Sequence, residues 1–310
     1  MSMSQSVLIC DQVAPILNEI LQKNGLKITY EPEITPDQIK EKIGNYEIVI
    51  VRSRTKITKE MIEKANMCKI IARVGVGLDN IDVDAAKSKG IRVINAVEGA
   101  MNAVAELVLG LMLSLAREIP RADREIRNGN WLKKELMGGE LSGKYLGIVG
   151  LGNIGKKLAR HAKSLNMNII GYDVIPIPDD FSREVSLVKT DLDTLLSSAD
   201  YISFHVPFTP ETHHLVNAQR LGKMKKTAYI INTSRGEIID EEALYNALKE
   251  GRLAGAALDV FEKEPATGNR LATLPNVICT PHIGAQTREA QALAANVIAE
   301  KIIMILRGVI

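Results

Sequence analysis

Short β-branched runs alternate with amphipathic segments along the first third of the chain. Val7–Cys10, Lys27–Tyr30, Ile48–Val51, Ile70–Arg73 and Val93–Asn95 read as strands. Between them, Ile16–Asn24, Pro36–Ile43, Thr58–Ala65 and Val83–Lys89 carry apolar residues at helical spacing. This rhythm predicts βα units and a parallel sheet covered by helices. Ala103–Ala116 is apolar nearly all round and reads as a buried helix, followed by a polar stretch around Arg121–Lys134. A second βα series then runs through Tyr145–Val149, Ile169–Tyr172, Tyr201–His205, Ala228–Asn232, Gly255–Ala257 and Val277–Thr280, enough for a second doubly wound sheet of roughly six strands. Thr287–Leu306 is a long helical pattern expected to pack back on the first lobe. No internal repeat or low-complexity linker interrupts the chain. The predicted fold class is α/β, with two doubly wound parallel-sheet domains.

Composition narrows the picture. A chain of 310 residues exceeds the size at which one core usually stops growing, which favours two lobes. With 46% hydrophobic and 25% charged residues it is an ordinary globular chain. A net charge of +2 with no basic stripe argues against a nucleic-acid partner. Met1–Gln5 lacks a basic segment leading into an apolar one, so export is not expected. Ala103–Ala116 falls short of the roughly 18 residues a membrane span needs and carries Glu106, so no membrane association is expected. Cys10, Cys68 and Cys279 are far apart and form no CxxC pair, which fits reduced cytoplasmic thiols and no metal site.

The segment Gly150-Leu151-Gly152-Asn153-Ile154-Gly155 places GxGxxG between a strand and an amphipathic helix. Its first glycine permits a tight turn, the second lets backbone approach a pyrophosphate, and the third lets helix and strand pack closely. Alone this would be a weak signal, because glycine turns also occur for structural reasons. Asp173 closes the next strand, where a carboxylate accepts hydrogen bonds from a ribose diol and repels a 2′-phosphate. No cation follows before Arg183, so NAD is expected rather than NADP.

Hydride transfer at a hydroxylated carbon needs a base, a cation for the carboxylate and a cofactor ring facing the carbon. Arg235 follows one strand, Glu264 follows the loop after strand-like Ala257–Val260, and His282 lies among turn residues after the last strand. All three project from the carboxyl ends of parallel strands, where sites in open α/β sheets lie. Arg235 can clamp a carboxylate bidentately. His282 can exchange a proton near neutral pH, with Glu264 fixing its ring and raising its pKa. Taken singly, each could be a satisfied structural residue; their joint occurrence after the glycine motif favours chemistry. His161, His213 and His214 lack this setting and read as structural.

On these residues the chain resembles the D-isomer-specific 2-hydroxyacid dehydrogenase family over essentially its whole length. The motifs are Gly150–Gly155 with Asp173, His205-Val206-Pro207, Ile231–Gly236, Leu258–Pro265 and Thr280–Ala285. The resemblance implies Arg235, Glu264 and His282 as the catalytic three. It implies a cofactor site of Gly150, Gly152, Asn153, Ile154, Gly155, Asp173, His205, Val206, Pro207, Thr212, Thr233, Ser234, Asp259, Gly284 and Ala285. It also implies a discontinuous substrate domain, 1–99 with 286–310, into which a NAD-binding domain, 100–285, is inserted.

Within the family, Val51–Thr55, Arg73–Asn80 and Trp131–Leu141 look most like the branch that oxidises a phosphorylated 2-hydroxy acid, phosphoglycerate. Arg52 and Arg54, with Ser53, would hold the phosphate, and Val76 and Gly77 would offer N–H groups to the carboxylate. Solvated loop charge is the plain alternative for both arginines. A glyoxylate or hydroxypyruvate reductase would not need these cations, and a non-enzymatic NAD-sensing scaffold is the rival of another class. Gly99-Ala100-Met101-Asn102 departs from the small polar residues usual before the following helix. The longer members carry an ACT domain for which 310 residues leave no room, so serine feedback through it is not expected. A homodimer, or a tetramer in which two dimers pair, is expected, with Ala103–Ala116 as a contact.

Overall fold

The computed structural model describes residues 5–309. The start of the chain, read above as lacking an export signal, lies outside the described residues up to residue 4. The chain divides into two compact units, one running to Met101 and resuming at Ala285, the other spanning Asn102–Gly284.

In the first unit the strands are β1 (Ser6–Ile9), β2 (Lys27–Tyr30), β3 (Ile48–Val51), β4 (Ile70–Arg73) and β5 (Arg92–Asn95), all parallel in the order β2-β1-β3-β4-β5. Helices α1 (Pro15–Lys23), α2 (Pro36–Lys42), α3 (Lys59–Lys64) and α4 (Val83–Ser88) connect them. Alternate residues of each strand feed opposite cores: Val7, Ile9, Ile48, Ile50 and Ile70 on one face, Leu8, Val49, Val51 and Ile71 on the other. A sheet buried on both faces explains why these strands read as continuous apolar runs. The C-terminal helix, Arg288–Leu306, lays Ala294, Ala295, Ile298, Ala299 and Ile302 on the first of these faces, as its spacing suggested. Gly99 is required there, because a Cβ would lie 2.7 Å from that of Ala294.

Helix α5 runs from Val97 to Ala116, six residues longer at its start than the apolar run predicted, and the unit boundary falls inside it. It is long and apolar enough to cross a membrane by length and composition. Its Ala105, Val108, Leu111, Met112 and Leu115 are instead packed in the core of the second unit.

The second unit holds seven parallel strands: β6 (Tyr145–Val149), β7 (Asn168–Tyr172), β8 (Val188–Lys189), β9 (Tyr201–Phe204), β10 (Tyr229–Asn232), β11 (Gly255–Leu258) and β12 (Val277–Cys279). Their order, β12-β11-β10-β9-β6-β7-β8, reverses direction between β6 and β9, the switch point where doubly wound sheets bind ligands. The seventh strand is β8, an exposed two-residue edge that carries no periodic signal. The polar stretch after α5 contains α6 (Ile119–Arg127), built on Pro120 in its first turn and on ion pairs Arg121–Glu118 and Arg127–Asp123. Helices α7 (Asn153–Ser164), α8 (Asp179–Val185), α9 (Leu192–Ser198), α10 (Ala218–Leu221) and α11 (Glu241–Lys249) complete the layers.

Candidate active site

The glycine turn lies at the switch point, between β6 and α7. Gly150 adopts φ +95°, and a Cβ there would sit 2.6 Å from the His205 carbonyl oxygen. A Cβ on Gly155 would run into the Gly150 carbonyl, so the helix closes on the turn only with glycine there. Gly152, the N-cap of α7, differs: a Cβ would meet nothing within 4 Å. This open ground fronts the first-turn N–H groups of Asn153 and Ile154, where an anion is favoured. Asp173, just beyond β7, accepts from Leu151 N at 2.6 Å and from Ile175 N at 2.9 Å. Its carboxylate is thereby oriented beside the turn, with lone pairs to spare.

His205, Val206 and Pro207 follow β9, the neighbour of β6. The His205 ring meets Ser203 Oγ at 2.9 Å through Nε2, and burial pushes its pKa down to about 4, which keeps the imidazole neutral. Thr212 uses its hydroxyl to close its own loop, donating to Pro207 O at 2.7 Å and accepting from Thr209 N at 2.8 Å.

Arg235 stands after β10 on a loop that Asn232 builds. Asn232 is buried; its Nδ2 donates to Arg235 O at 2.8 Å and its Oδ1 accepts from Ser234 N and Oγ. Arg235 Nη1 donates to Ser234 O. Gly236 comes next, and a Cβ there would overlap the backbone of Phe261 and Glu262. The Arg235 loop thus packs directly on the loop that carries Glu264. Glu262 exchanges bonds with the start of α11, its Oε1 accepting from Glu241 N and its N–H donating to Glu241 Oε1. His214 braces Glu262 from the other side at 2.9 Å and stacks on His213, consistent with structural parts for both.

Glu264 Oε2 meets His282 Nδ1 at 2.8 Å, while its Oε1 accepts from Phe261 N. Among the described residues no protein atom bonds His282 Nε2, and half the side chain is exposed. His282 has φ +54°, a conformation that costs a non-glycine residue about 1 kcal/mol or more. Asp259 supplies the compensation. It is fully buried; its carbonyl accepts from His282 N, Oδ1 accepts from Thr280 Oγ1 at 2.6 Å and Ile283 N at 2.8 Å, and Oδ2 accepts from Gly284 N at 2.8 Å. Asp259 therefore shapes the His282 loop, a role the resemblance did not assign to it. Thr233 is buried too, and its Oγ1 has no partner among the described residues.

The expected substrate residues lie in the first unit. Arg54 spends its guanidinium internally: Nε donates to buried Asp11 at 3.0 Å, Nη1 to Ile34 O at 3.2 Å, and Nη2 to Pro32 O at 2.7 Å and to Cys10 O. These bonds make it a strut for the loop, with nearly half of its side chain still exposed. Arg52 makes only looser contacts, to Gln12 O at 3.1 Å and Gln286 Oε1 at 3.4 Å, and keeps donors for a ligand. Asn80 ties that loop through Arg52 O and Thr55 O, leaving Ser53 exposed. The N–H groups of Val76 and Gly77 have no protein acceptor among the described residues. Ala285 belongs to this unit rather than to the second, and its carbonyl accepts from Gln291 Nε2 at 2.7 Å.

Residues 109–284 match the model of the D-isomer specific 2-hydroxyacid dehydrogenase NAD-binding domain. The chain belongs to the D-isomer specific 2-hydroxyacid dehydrogenase family. It is 48% identical to the D-3-phosphoglycerate dehydrogenase of Methanocaldococcus jannaschii over 97% of its own length, but spans only 57% of that protein. It is 45% identical to the hydroxypyruvate reductase of Thermotoga maritima, covering 91% of this chain and 92% of that one. A D-lactate dehydrogenase from Aquifex aeolicus, solved with NAD and lactic acid, superposes with a TM-score of 0.85 at 30% identity, covering 98% and 96% of the two chains.

The 2-hydroxyacid dehydrogenase NAD-binding domain fits its cofactor on the geometry above. Gly152 leaves room where a side chain would obstruct a diphosphate, Asp173 is set for a ribose diol, and Thr233 holds a buried hydroxyl in need of a partner. Reasoning from the sequence missed Ser203 and assigned no part to Asn232 and Gly236, which it met only as members of a motif. Only the polar residues on buried strands, Asn232 and Ser203, and a glycine straight after Arg235 hinted at them.

Proposed function

We propose that this chain oxidises D-3-phosphoglycerate at C2, an opening step toward serine, as a cytoplasmic homodimer. The observation that carries a dehydrogenase reading is the His282–Glu264 pair at 2.8 Å, with Nε2 facing away from its partner. The phosphorylated substrate is supported by Arg52 and by identity to phosphoglycerate dehydrogenases. Exposed Leu113, Ile126, Trp131 and Met137 support self-association.

In the oxidation direction, Arg235 holds the carboxylate and His282 Nε2 takes the C2 hydroxyl proton. Glu264 on Nδ1 fixes the ring tautomer and stabilises the imidazolium that forms. The hydride leaving C2 would need the acceptor that NAD supplies when bound. Arg52 is assigned to the phosphate, and the N–H groups of Val76 and Gly77 to substrate oxygens.

A second reading, reduction of hydroxypyruvate or glyoxylate, is favoured by the 45% identity to the Thermotoga maritima hydroxypyruvate reductase. The test is NADH formation at alkaline pH with 3-phosphoglycerate beside D-glycerate, with His282→Ala as control. Turnover restricted to the phosphorylated acid and lost in the control supports the proposal. Preference for D-glycerate moves the chain to the reductases, and no turnover with any 2-hydroxy or 2-oxo acid leaves an NAD-binding scaffold.

A further inference from the structure

Ser203 is fully buried in the middle of β9, and its Oγ has one hydrogen-bond partner among the described residues, His205 Nε2. A hydroxyl in that position must donate. If Nε2 carried the proton and gave it to Oγ, the hydroxyl hydrogen would be left without an acceptor in a site that excludes water, a costlier defect than an unused oxygen lone pair. Donation by Ser203 makes Nε2 the acceptor, and in a neutral imidazole the proton then sits on Nδ1. Nδ1 bonds no protein atom among the described residues, and it is not one of the buried polar atoms lacking a partner, so it keeps solvent access.

Its surroundings point to the acceptor. Strand alternation puts Tyr201, Ser203 and His205 on one face of the sheet, and Tyr201 packs there in the same core as Leu158 and Ala159 of α7. The His205 carbonyl lies against Gly150, and its N–H donates to Val149 O at 2.8 Å. The ring therefore shares its face with the helix whose N-terminus fronts the open ground at Gly152.

We propose that Ser203 is a positioning residue that locks His205 in the Nδ1–H tautomer, making it a neutral hydrogen-bond donor to the cofactor's diphosphate oxygens. The donor role rests on the NAD-binding reading of the site; the tautomer does not. Neutrality agrees with the lowered pKa of the ring. A neutral donor adds a directed bond to the phosphates without a charge that would vary with pH.

The test uses the full chain with 15N-labelled histidine. Long-range proton–nitrogen correlation at neutral pH, with His205 assigned by its loss in His205→Gln, should show Nδ1 protonated and Nε2 unprotonated. Ser203→Ala should move the ring toward the Nε2–H tautomer that unconstrained imidazole prefers and weaken NAD and ADP-ribose alike, by about two- to tenfold for one lost hydrogen bond. Ser203→Thr should restore both. An Nε2–H or charged His205 in the native chain overturns the tautomer, as does Ser203→Ala leaving it unchanged. Weakened NAD with unaltered ADP-ribose overturns the diphosphate assignment. A native chain that binds neither molecule overturns the donor role together with the dehydrogenase reading, while the tautomer is still read without ligand.

Discussion

Asp259 offers the sharpest test of how the fold holds His282, the proposed base. In Asp259→Asn, one amide oxygen can still accept from Thr280 Oγ1 and Ile283 N, but the amide nitrogen would face Gly284 N–H, donor against donor. A buried N–H without an acceptor costs about 1–3 kcal/mol, and turning two charge-assisted bonds into neutral ones costs about 1 kcal/mol each, so the loss is about 3–5 kcal/mol. For a unit of this size that lowers Tm by about 10 °C. The damaged bonds lie on residues flanking His282, so the imidazole shifts relative to Glu264. A displacement near 1 Å costs on the order of 100-fold in kcat. Scanning calorimetry and steady-state turnover read the two effects, and NADH fluorescence should show cofactor affinity changed far less than kcat. A variant with native Tm and native kcat would refute the reasoning.

Three further predictions follow the same contacts. Gly236→Ala forces a Cβ into the Phe261–Glu262 backbone, so kcat should fall by roughly tenfold or more with a lowered Tm; unchanged kinetics would show that the two loops move independently. Arg54→Ala should destabilise the first unit by about 2 kcal/mol by removing the cation paired with buried Asp11, whereas Arg52→Ala should leave Tm alone and raise KM for a phosphorylated substrate; denaturant titration and kinetics would reveal the reverse pattern. His205 binds fewer protons folded than unfolded between its pKa of about 4 and the ordinary value near 6.5. Its contribution therefore makes stability fall as pH drops through that window, by about 3 kcal/mol in all. Denaturation at several pH values should show a shallower slope in His205→Gln; an equal slope would count against the neutral ring.

Much of this protein is legible without coordinates. Strands buried on both faces, such as Ile48–Val51 and Tyr145–Val149, announce themselves as apolar runs, and the glycines of Gly150–Gly155 are dictated by close backbone approach that no other residue permits. The placement of Arg235, Glu264 and His282 after the carboxyl ends of strands was legible, and Glu264 and His282 do meet. Where the sequence falls short, the deciding contacts join residues far apart in the chain. β8 exists only because β7 offers it an edge, and α6 is held by surface ion pairs with no buried residue of its own. Arg52 and Arg54 are two positions apart with the same side chain, yet Asp11, more than 40 residues earlier, turns one into a strut. Asp259 carries no local sign that its carboxylate accepts from the N–H groups of Ile283 and Gly284, some 25 residues on. Side-chain type limits what chemistry is possible; which buried donor meets which acceptor is settled by packing across the sheet, and that information is not local.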